Sequence, residues 1–196
     1  SYNMSIGIIL NVSTTHVLSV NFSPSDATNY NSVNGTTVVL EVTKATLTAT
    51  PNNQTRLYGA ANPAFPISYA GFVNSETFLV LNTQPLASSA AGSTSPVGPY
   101  PIVASGGLDN NYEIVYVQGT LTITKANVTA IAVNASRVYG SLNPLFTINY
   151  TGFVNGENSS VLDTAPTAST AATSTSAAGT YPITVSGGSD INYTFS

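Results

Sequence analysis

Ten asparagines of this chain stand in Asn-x-Ser/Thr sequences in which x is not proline, the acceptor pattern for N-linked sugar. They are Asn3, Asn11, Asn21, Asn34, Asn53, Asn127, Asn134, Asn149, Asn158 and Asn192. The 20 asparagines and 51 serines plus threonines among 196 residues would give about five such sequences by chance. The excess predicts covalent glycans, which would supply the solubility that a chain with only 6% charged residues lacks. Tracts rich in Ser, Thr and Ala at 86–97 and 167–178 are candidates for O-linked sugar.

Catalytic and metal chemistry finds little support in the sequence. His16 is the single histidine, and it stands in a strand-like run without a second histidine, a cysteine or a nearby carboxylate as partner. A Ser-His-Asp arrangement would depend on that one residue, and no nucleophile-elbow motif is present. Spacing alone does not exclude a pair of catalytic carboxylates, but the acids are scattered. The sequence therefore predicts no enzyme, no metal and no cofactor.

Eight of the twelve charged residues fall at matched positions of an internal repeat. The matched pairs are Lys44 with Lys125, Arg56 with Arg137, Glu76 with Glu157, and Asp109 with Asp190. This matching suggests a recurring ion pair or a role in turns. Asp109 and Asp190 follow Gly-Gly, with one residue between, and come shortly before Asn-Tyr, which favours an Asx-turn. Calcium is the alternative, but each position offers only one carboxylate.

Tyrosines also recur between the two copies of the repeat. Tyr58, Tyr69, Tyr100 and Tyr112 could stack on sugar rings, or they could fill a core, because a buried tyrosine supplies a large apolar area and one hydroxyl group. We favour the core.

The repeat itself is the dominant feature of the chain. Residues 44–115 align with 125–196 without a gap, and 39 of the 72 aligned pairs are identical. Short Thr-Lys-Ala joints at Thr43 and Thr124 connect the modules without a flexible linker. We expect three modules: a partial one at 1–45, the first copy at 46–126 and the second copy at 127–196.

The pattern within the modules is typical of β-strands. Runs such as "YPIVAS", "YEIVYV" and "TLTIT" alternate or are apolar over 4–8 residues between Gly, Pro and Asn. We predict a mainly β fold of small tandem modules, Ig-like or β-grasp-like, with at most one short helix in each. The candidate helix follows Asn74, with Asn74 or Ser75 as its cap, whereas "NGENSSVLD" in the second copy is a poor helix sequence.

Charge and hydropathy exclude two kinds of partner. A net charge of −4 with four basic residues leaves no basic patch for nucleic acid. No run of 18 apolar residues could span a membrane.

The ordered set Tyr-Gly, Asn-Pro, Gly-Phe, Gly-x-Tyr and Asn-Tyr, present in both copies, resembles the MBG-type repeats (YGX class) of large bacterial surface proteins and adhesins. Residues 5–45, with "LSVNFSPSDATNYN", resemble the C-terminal half of a bacterial Ig-like repeat. These resemblances imply an extracellular, cell-surface protein with tandem β-modules and no catalytic residues.

We therefore expect a glycosylated structural protein, a segment or subunit of a surface filament or stalk. Two alternatives stay open: an adhesin that binds mucin or other host or environmental glycans, and an accessory region of an enzyme whose catalytic domain lies elsewhere. The chain begins with Ser rather than Met, and the second copy stops at "NYTFS" without the "GTLTIT" run of the first. We accordingly expect an open sheet edge, filled by the "SYNMSIGIILNV" segment of a next subunit in a head-to-tail homopolymer or by a neighbouring module of a longer chain.

Overall fold

The computed structural model describes residues 8–196. These residues form fourteen strands and two short 3₁₀ turns, Phe78–Val80 and Ser159–Val161, and no α-helix. The strands are β1 (Ser13–Phe22), β2 (Val33–Val42), β3 (Ala45–Pro51), β4 (Gln54–Leu57), β5 (Ile67–Ala70), β6 (Leu86–Ser88), β7 (Gly98–Ser105), β8 (Tyr112–Tyr116), β9 (Gly119–Thr124), β10 (Ala126–Ala132), β11 (Ile148–Thr151), β12 (Thr167–Ser169), β13 (Thr184–Ser186) and β14 (Tyr193–Phe195). The prediction of a mainly β chain is confirmed.

The described chain forms two compact units, and the first copy of the repeat is divided between them. Unit 1 holds the described part of the chain up to Pro51 together with Pro66–Ala87 and Val103–Gln118. Unit 2 holds Asn52–Phe65, Ser88–Ile102 and Gly119–Ser196. The whole second copy therefore lies in unit 2, together with part of the first copy.

Unit 1 contains a hairpin and a three-stranded sheet. Strands β1 and β2 pair antiparallel with each other, and β3 lies between an antiparallel β5 and a parallel β8. The alternation of β3 places Leu47 and Ala49 in the interior, both fully buried, as the two-residue period of a strand requires. Leu47, Leu81 and Tyr112 form the core of this unit.

Strand β9 is an inner strand of a four-stranded sheet of the first copy. The sheet order is β4-β9-β7-β6. Strand β9 is parallel to β4 and antiparallel to the first residues of β7. Its alternating residues Leu121 and Ile123 are almost completely buried, while Thr122 is exposed. Because both edges of β9 are paired, the strand can be buried without leaving backbone N–H and C=O groups unpaired.

The second copy supplies the other sheets of unit 2. Strand β10 lies between an antiparallel β11 and a parallel β14, and β12 pairs antiparallel with β13. The outward direction predicted for Asn149 is confirmed, because Asn149 is exposed between the half-buried Ile148 and Tyr150.

The cap predicted for the short helix is wrong. Asn74 and Ser75 have positive φ angles of 53° and 59°, a left-handed conformation that no helix continues through. The 3₁₀ turn begins later, with Thr77 as its cap. The second copy forms the same turn after Asn158 despite its poor helix sequence, because the Asn158 side chain accepts a hydrogen bond from the Ser160 N–H.

Candidate sites: the joint between the copies and the cleft of the second copy

One residue, Lys125, separates β9 of the first copy from β10 of the second. The Ala126 N–H donates to the Asn192 carbonyl oxygen at 2.9 Å, and the Lys125 ammonium group donates to the Asp190 carbonyl oxygen at 2.7 Å. Lys125 and Ala126 are therefore both held by the module that follows the joint.

The joint in unit 1 has the same construction. The Ala45 N–H donates to the Asn111 carbonyl oxygen at 2.9 Å, and the Lys44 ammonium group donates to the Asp109 carbonyl oxygen at 2.7 Å. The Asn111 side chain also accepts a hydrogen bond from the Val12 N–H at 3.0 Å. At the joint in unit 2, the Asn192 side chain accepts the corresponding bond from the Val97 N–H at 3.0 Å.

The two matched aspartates close Asx-type turns beside these joints. Asp190 is buried, and its Oδ1 accepts hydrogen bonds from the Asn192 N–H at 2.7 Å and the Tyr193 N–H at 3.0 Å. Asp109 is buried as well and binds the N–H groups of Asn111 and Tyr112 at the same distances. These carboxylates are occupied by backbone donors, so the turn role is the one that the geometry supports.

The expectation of a recurring ion pair is wrong for the matched lysines and arginines. The lysines bind carbonyl oxygens, as described above. Arg56 is buried and donates to the Asn62 side chain and to the carbonyl oxygens of Leu57 and Gly92. Arg137 has the equivalent neutral partners in the second copy. The matched basic side chains hold loops through backbone and amide oxygens.

Glu157 joins a tyrosine of the first copy to a tyrosine of the second, all within unit 2. The Tyr58 hydroxyl donates to Glu157 Oε1 at 2.7 Å, and the Tyr193 hydroxyl donates to Oε2 at 2.5 Å. The two tyrosine rings meet edge to face, with centroids 5.6 Å apart. Such rings contribute both apolar contact and the favourable quadrupole geometry of an edge-on pair.

Both tyrosines are held in the protonated form. Burial, reinforced by the hydrogen bond to Glu157, raises the pKa of Tyr193 from 10.0 to about 12. The same two causes raise the pKa of Tyr58. The protonated hydroxyl is the form that can donate to a carboxylate, so the arrangement is stable at neutral pH.

Gly59 allows the two copies to approach closely. Its φ angle is +81°, and a Cβ atom built on it would lie 2.3 Å from Cγ2 of Val154 in the second copy. The corresponding Gly140 has a φ angle of +86°, but a Cβ atom there would meet nothing within 4 Å. The equivalent glycines therefore differ in the packing against them and not in backbone conformation.

The core role predicted for the recurring tyrosines holds for three of the four. Tyr58 and Tyr112 are buried. Tyr69 is half-buried, packs against the core of unit 1 and lies parallel to the Phe78 ring. Tyr100 is half-buried, with its hydroxyl on the Pro96 carbonyl oxygen.

A cleft of about 740 Å³ opens in the second copy, within unit 2. Residues 134–137 line one side and residues 176–183 line the other, with Ala132, Phe146 and Ala172 also contributing. In the first copy the equivalent segments are β4 and the start of β7, and β9 lies between them. Among the described residues of the second copy, no strand lies between the two segments.

The side chains around this cleft are much more exposed than the side chains at the matched positions of the first copy. Tyr139 is 68% exposed, whereas Tyr58 is 4% exposed. Ile183 is half-buried, whereas Ile102 is completely buried.

The predicted glycosylation sites lie mainly at the surface. Asn11, Asn21, Asn34, Asn53, Asn127, Asn134, Asn149 and Asn158 are exposed and Asn192 is half-buried, while Asn3 lies outside the described residues. The side chains of Asn53 and Asn192 accept backbone hydrogen bonds from Thr120 and Val97. Whether any of these asparagines carries sugar stays a prediction.

His16 lies in β1, where one ring nitrogen is 2.7 Å from the Asn11 carbonyl oxygen. Within residues 8–196, no group of three or more His, Cys, Asp or Glu side chains is placed to hold a metal ion. No helix in that part of the chain is both long and apolar enough to cross a membrane.

The sequence matches the MBG domain family (YGX type) twice, at residues 47–122 and 127–196. These matches cover most of the chain, and the protein belongs to this family of surface-protein repeats. No curated protein and no solved structure matches the chain. The Ig-like nature of residues 5–45 and the module boundaries stay predictions.

Proposed function

We propose that this chain is a segment or subunit of an extracellular, glycosylated surface stalk or filament, in which β-modules are joined head to tail and no catalysis takes place. Its task is mechanical: it holds whatever it carries at a distance from the cell. Partners are further copies of the module, and sugars are attached covalently.

The joint between the copies is the observation that carries this proposal. Tyr58 of the first copy and Glu157 of the second belong to one compact unit, and a single residue, Lys125, separates β9 of the first copy from β10 of the second. A module whose buried Tyr58 packs against Tyr193 and donates to Glu157 of the next module cannot swing freely about a linker. Tandem arrays of this kind gain stability from nearest-neighbour interfaces.

Surface chemistry supports the extracellular and glycosylated part of the proposal. The chain has a net charge of −4 and 6% charged residues, so charge contributes little to its solubility. Eight of the ten sequons have an exposed asparagine. Sugar at these positions would cover apolar side chains that are now exposed, such as Val38 and Val39 on β2.

Strand donation is the proposed means of continuing the array. A strand supplied by the "SYNMSIGIILNV" segment of a next subunit, or by a neighbouring module, would complete the sheet of the second copy. Residues 1–7 of that segment lie outside the described residues; Ile8 and Ile9 are 58% and 68% exposed. The alternative of a glycan-binding adhesin gains less support, because Tyr58 and Tyr112, two of its candidate stacking residues, are buried.

Immunogold electron microscopy of source cells, with an antibody against the recombinant chain, tests the proposal. We expect gold along filaments or stalks outside the cell, and native material heavier than the 20.2 kDa polypeptide until its glycans are removed. Label confined to the cell interior would contradict the proposal. So would native material of bare polypeptide mass that remains monomeric and binds oligosaccharides.

A further inference from the structure

We propose that a glycan attached to Asn158 is a structural part of the second copy, and that its first sugar ring packs on the Tyr150 ring, in the place that Phe78 occupies on Tyr69 in the first copy. The inference rests on the glycosylation in the proposed function and deepens it, because it assigns one sugar a site on the protein and a task in the fold.

The first copy shows what covers this tyrosine. The ring of Tyr69 in β5 lies nearly parallel to the Phe78 ring, with centroids 6.1 Å apart and an interplanar angle of 13°. Phe78 is the first residue of the 3₁₀ turn and follows its cap, Thr77. One face of the tyrosine is therefore covered by the residue directly after the cap.

The second copy has a serine, Ser159, at the position of Phe78. The matched tyrosine, Tyr150, lies against Phe153 at 5.9 Å, much as Tyr69 lies against Phe72 at 5.7 Å. A hollow of about 410 Å³, lined by residues 148–153 and 157–159, opens beside Tyr150. Serine has no ring to place on the tyrosine, so the hollow stands where the first copy has an aromatic side chain.

The substitution that uncovers Tyr150 lies inside a glycan acceptor sequence. Residues 77–79 of the first copy read "TFL", and the matched residues 158–160 read "NSS". These three adjacent replacements remove the aromatic ring and at the same time create an Asn-x-Ser sequence. The acceptor is thus present in the copy that lacks the ring and absent from the copy that has it.

The turn holds Asn158 in a position to carry the sugar. Asn158 is exposed, lies at the rim of the hollow and caps the turn, and its Oδ1 accepts a hydrogen bond from the Ser160 N–H at 2.9 Å. Within residues 8–196, its Nδ2 donates to no acceptor. The capping bond fixes the orientation of the amide group and leaves the nitrogen that bears an N-linked sugar free.

Attachment of the sugar leaves the cap intact. One N–H bond of Asn158 Nδ2 is replaced by an N–C bond to the anomeric carbon of a glycosyl donor, a diphosphate ester. The C–O bond of the donor breaks, and the diphosphate leaves with the bonding electrons and takes up the proton. The C–H groups on one face of a pyranose ring carry partial positive charge, so this face packs on the negative face of an aromatic ring.

Thermal unfolding of the full chain with and without its glycans tests the inference. The chain is produced in the source cells and in a host without N-glycosylation, and mass spectrometry of glycopeptides reports whether Asn158 is modified. Ser160→Ala removes the acceptor sequence but keeps Asn158 and the backbone N–H that it caps. We expect the rise in Tm that the glycans give to be about 2–6 °C smaller in Ser160→Ala than in the wild type.

Thr151→Ala is the matched control. It removes the acceptor sequence of Asn149, which lies on the exposed side of β11, and it should leave the rise in Tm from the glycans unaltered. Ser159→Phe introduces the ring of the first copy. It should raise the Tm of the unglycosylated chain by about 2–6 °C and that of the glycosylated chain by less, because the sugar already covers Tyr150.

Nuclear Overhauser contacts in the glycosylated wild type give a direct readout, and we expect them between the first sugar of Asn158 and the Tyr150 ring. A glycan on Asn158 without these contacts, or equal effects of Ser160→Ala and Thr151→Ala, would overturn the inference. An unmodified Asn158 in a chain that carries sugar on other asparagines would overturn it too, while the proposed glycosylated stalk would stand. Native material without sugar on any asparagine would contradict both.

Discussion

Substituting alanine for Gly59 should destabilise unit 2 far more than the same substitution of Gly140. Both glycines have left-handed φ angles, +81° and +86°, so either alanine costs about 1–2 kcal/mol of backbone strain. Only at Gly59 does the new Cβ collide with a neighbour, Val154, at 2.3 Å from Cγ2 and 2.6 Å from Cβ. A branched side chain cannot move aside at that distance, and overpacking of this kind costs about 1–3 kcal/mol.

We therefore expect Gly59→Ala to lower the free energy of unfolding by about 1–3 kcal/mol more than Gly140→Ala. Since 1 kcal/mol shifts the Tm of a domain of about 100 residues by about 4–8 °C, melts followed by circular dichroism resolve the difference. Val154→Ala combined with Gly59→Ala should recover part of the loss in a double-mutant cycle. Equal effects of the two glycine substitutions would refute the close approach of the copies.

Three other substitutions and conditions test the joint and its turn. Tyr58→Phe should lower the free energy of unfolding by about 1.5–3 kcal/mol, because the hydrogen bond to the Glu157 carboxylate is lost, and Tyr139→Phe should lower it by almost nothing. Urea unfolding that shows no difference between these two variants would contradict this. The Tyr193 pKa rises from 10.0 to about 12 on folding. The protonated hydroxyl therefore makes its full contribution to the free energy of unfolding below pH 10, and this contribution is lost as the pH rises towards 12. Urea titrations at pH 9–12 should show this loss of stability, and the loss should be smaller in the Tyr193→Phe variant. Asp190→Ala should lower the free energy of unfolding by about 2 kcal/mol or more, since three N–H groups lose their acceptor, and Asp190→Asn should lower it less. Added calcium should not raise the Tm, and a calcium-dependent Tm would contradict the turn role.

Local sequence patterns were sufficient to predict several of the strands and the short joint. The alternation of Leu121 and Ile123 with threonine predicts a strand buried on one side, and both residues are buried. Thr-Lys-Ala without Gly or Pro predicts a joint without a linker, and the strands on either side of Lys125 are separated by that residue alone.

The parallel pairing of strands could not be predicted in the same way. Strand β3 pairs with β8, and β10 with β14, more than 60 residues along the chain. No turn sequence marks such a pair, because its two strands are joined by a long connection and not by a hairpin. The division of the first copy between two units was missed for the same reason: it depends on contacts between distant residues.

The role of Glu157 was also missed, although the sequence held a signal. The sequence shows Glu76 and Glu157 at matched positions, and the matched basic residues suggest an ion pair or a role in turns. The partners are tyrosines: Tyr112 for Glu76, and Tyr58 with Tyr193 for Glu157. Recurrence shows that a residue is needed in each module, but it does not show which neighbour the fold brings to it.

Native-state hydrogen exchange of unit 2 tests most directly whether the two copies share one cooperative structure. Leu121→Ala removes a completely buried side chain of the first copy and should cost about 2–5 kcal/mol. If the joint is shared, the protected amides of Val128 and Tyr193 in the second copy will lose protection to the same extent as those of β9. If Val128 and Tyr193 keep their protection while the amides of β9 exchange faster, the two copies unfold independently. That result would contradict the proposed stiff array.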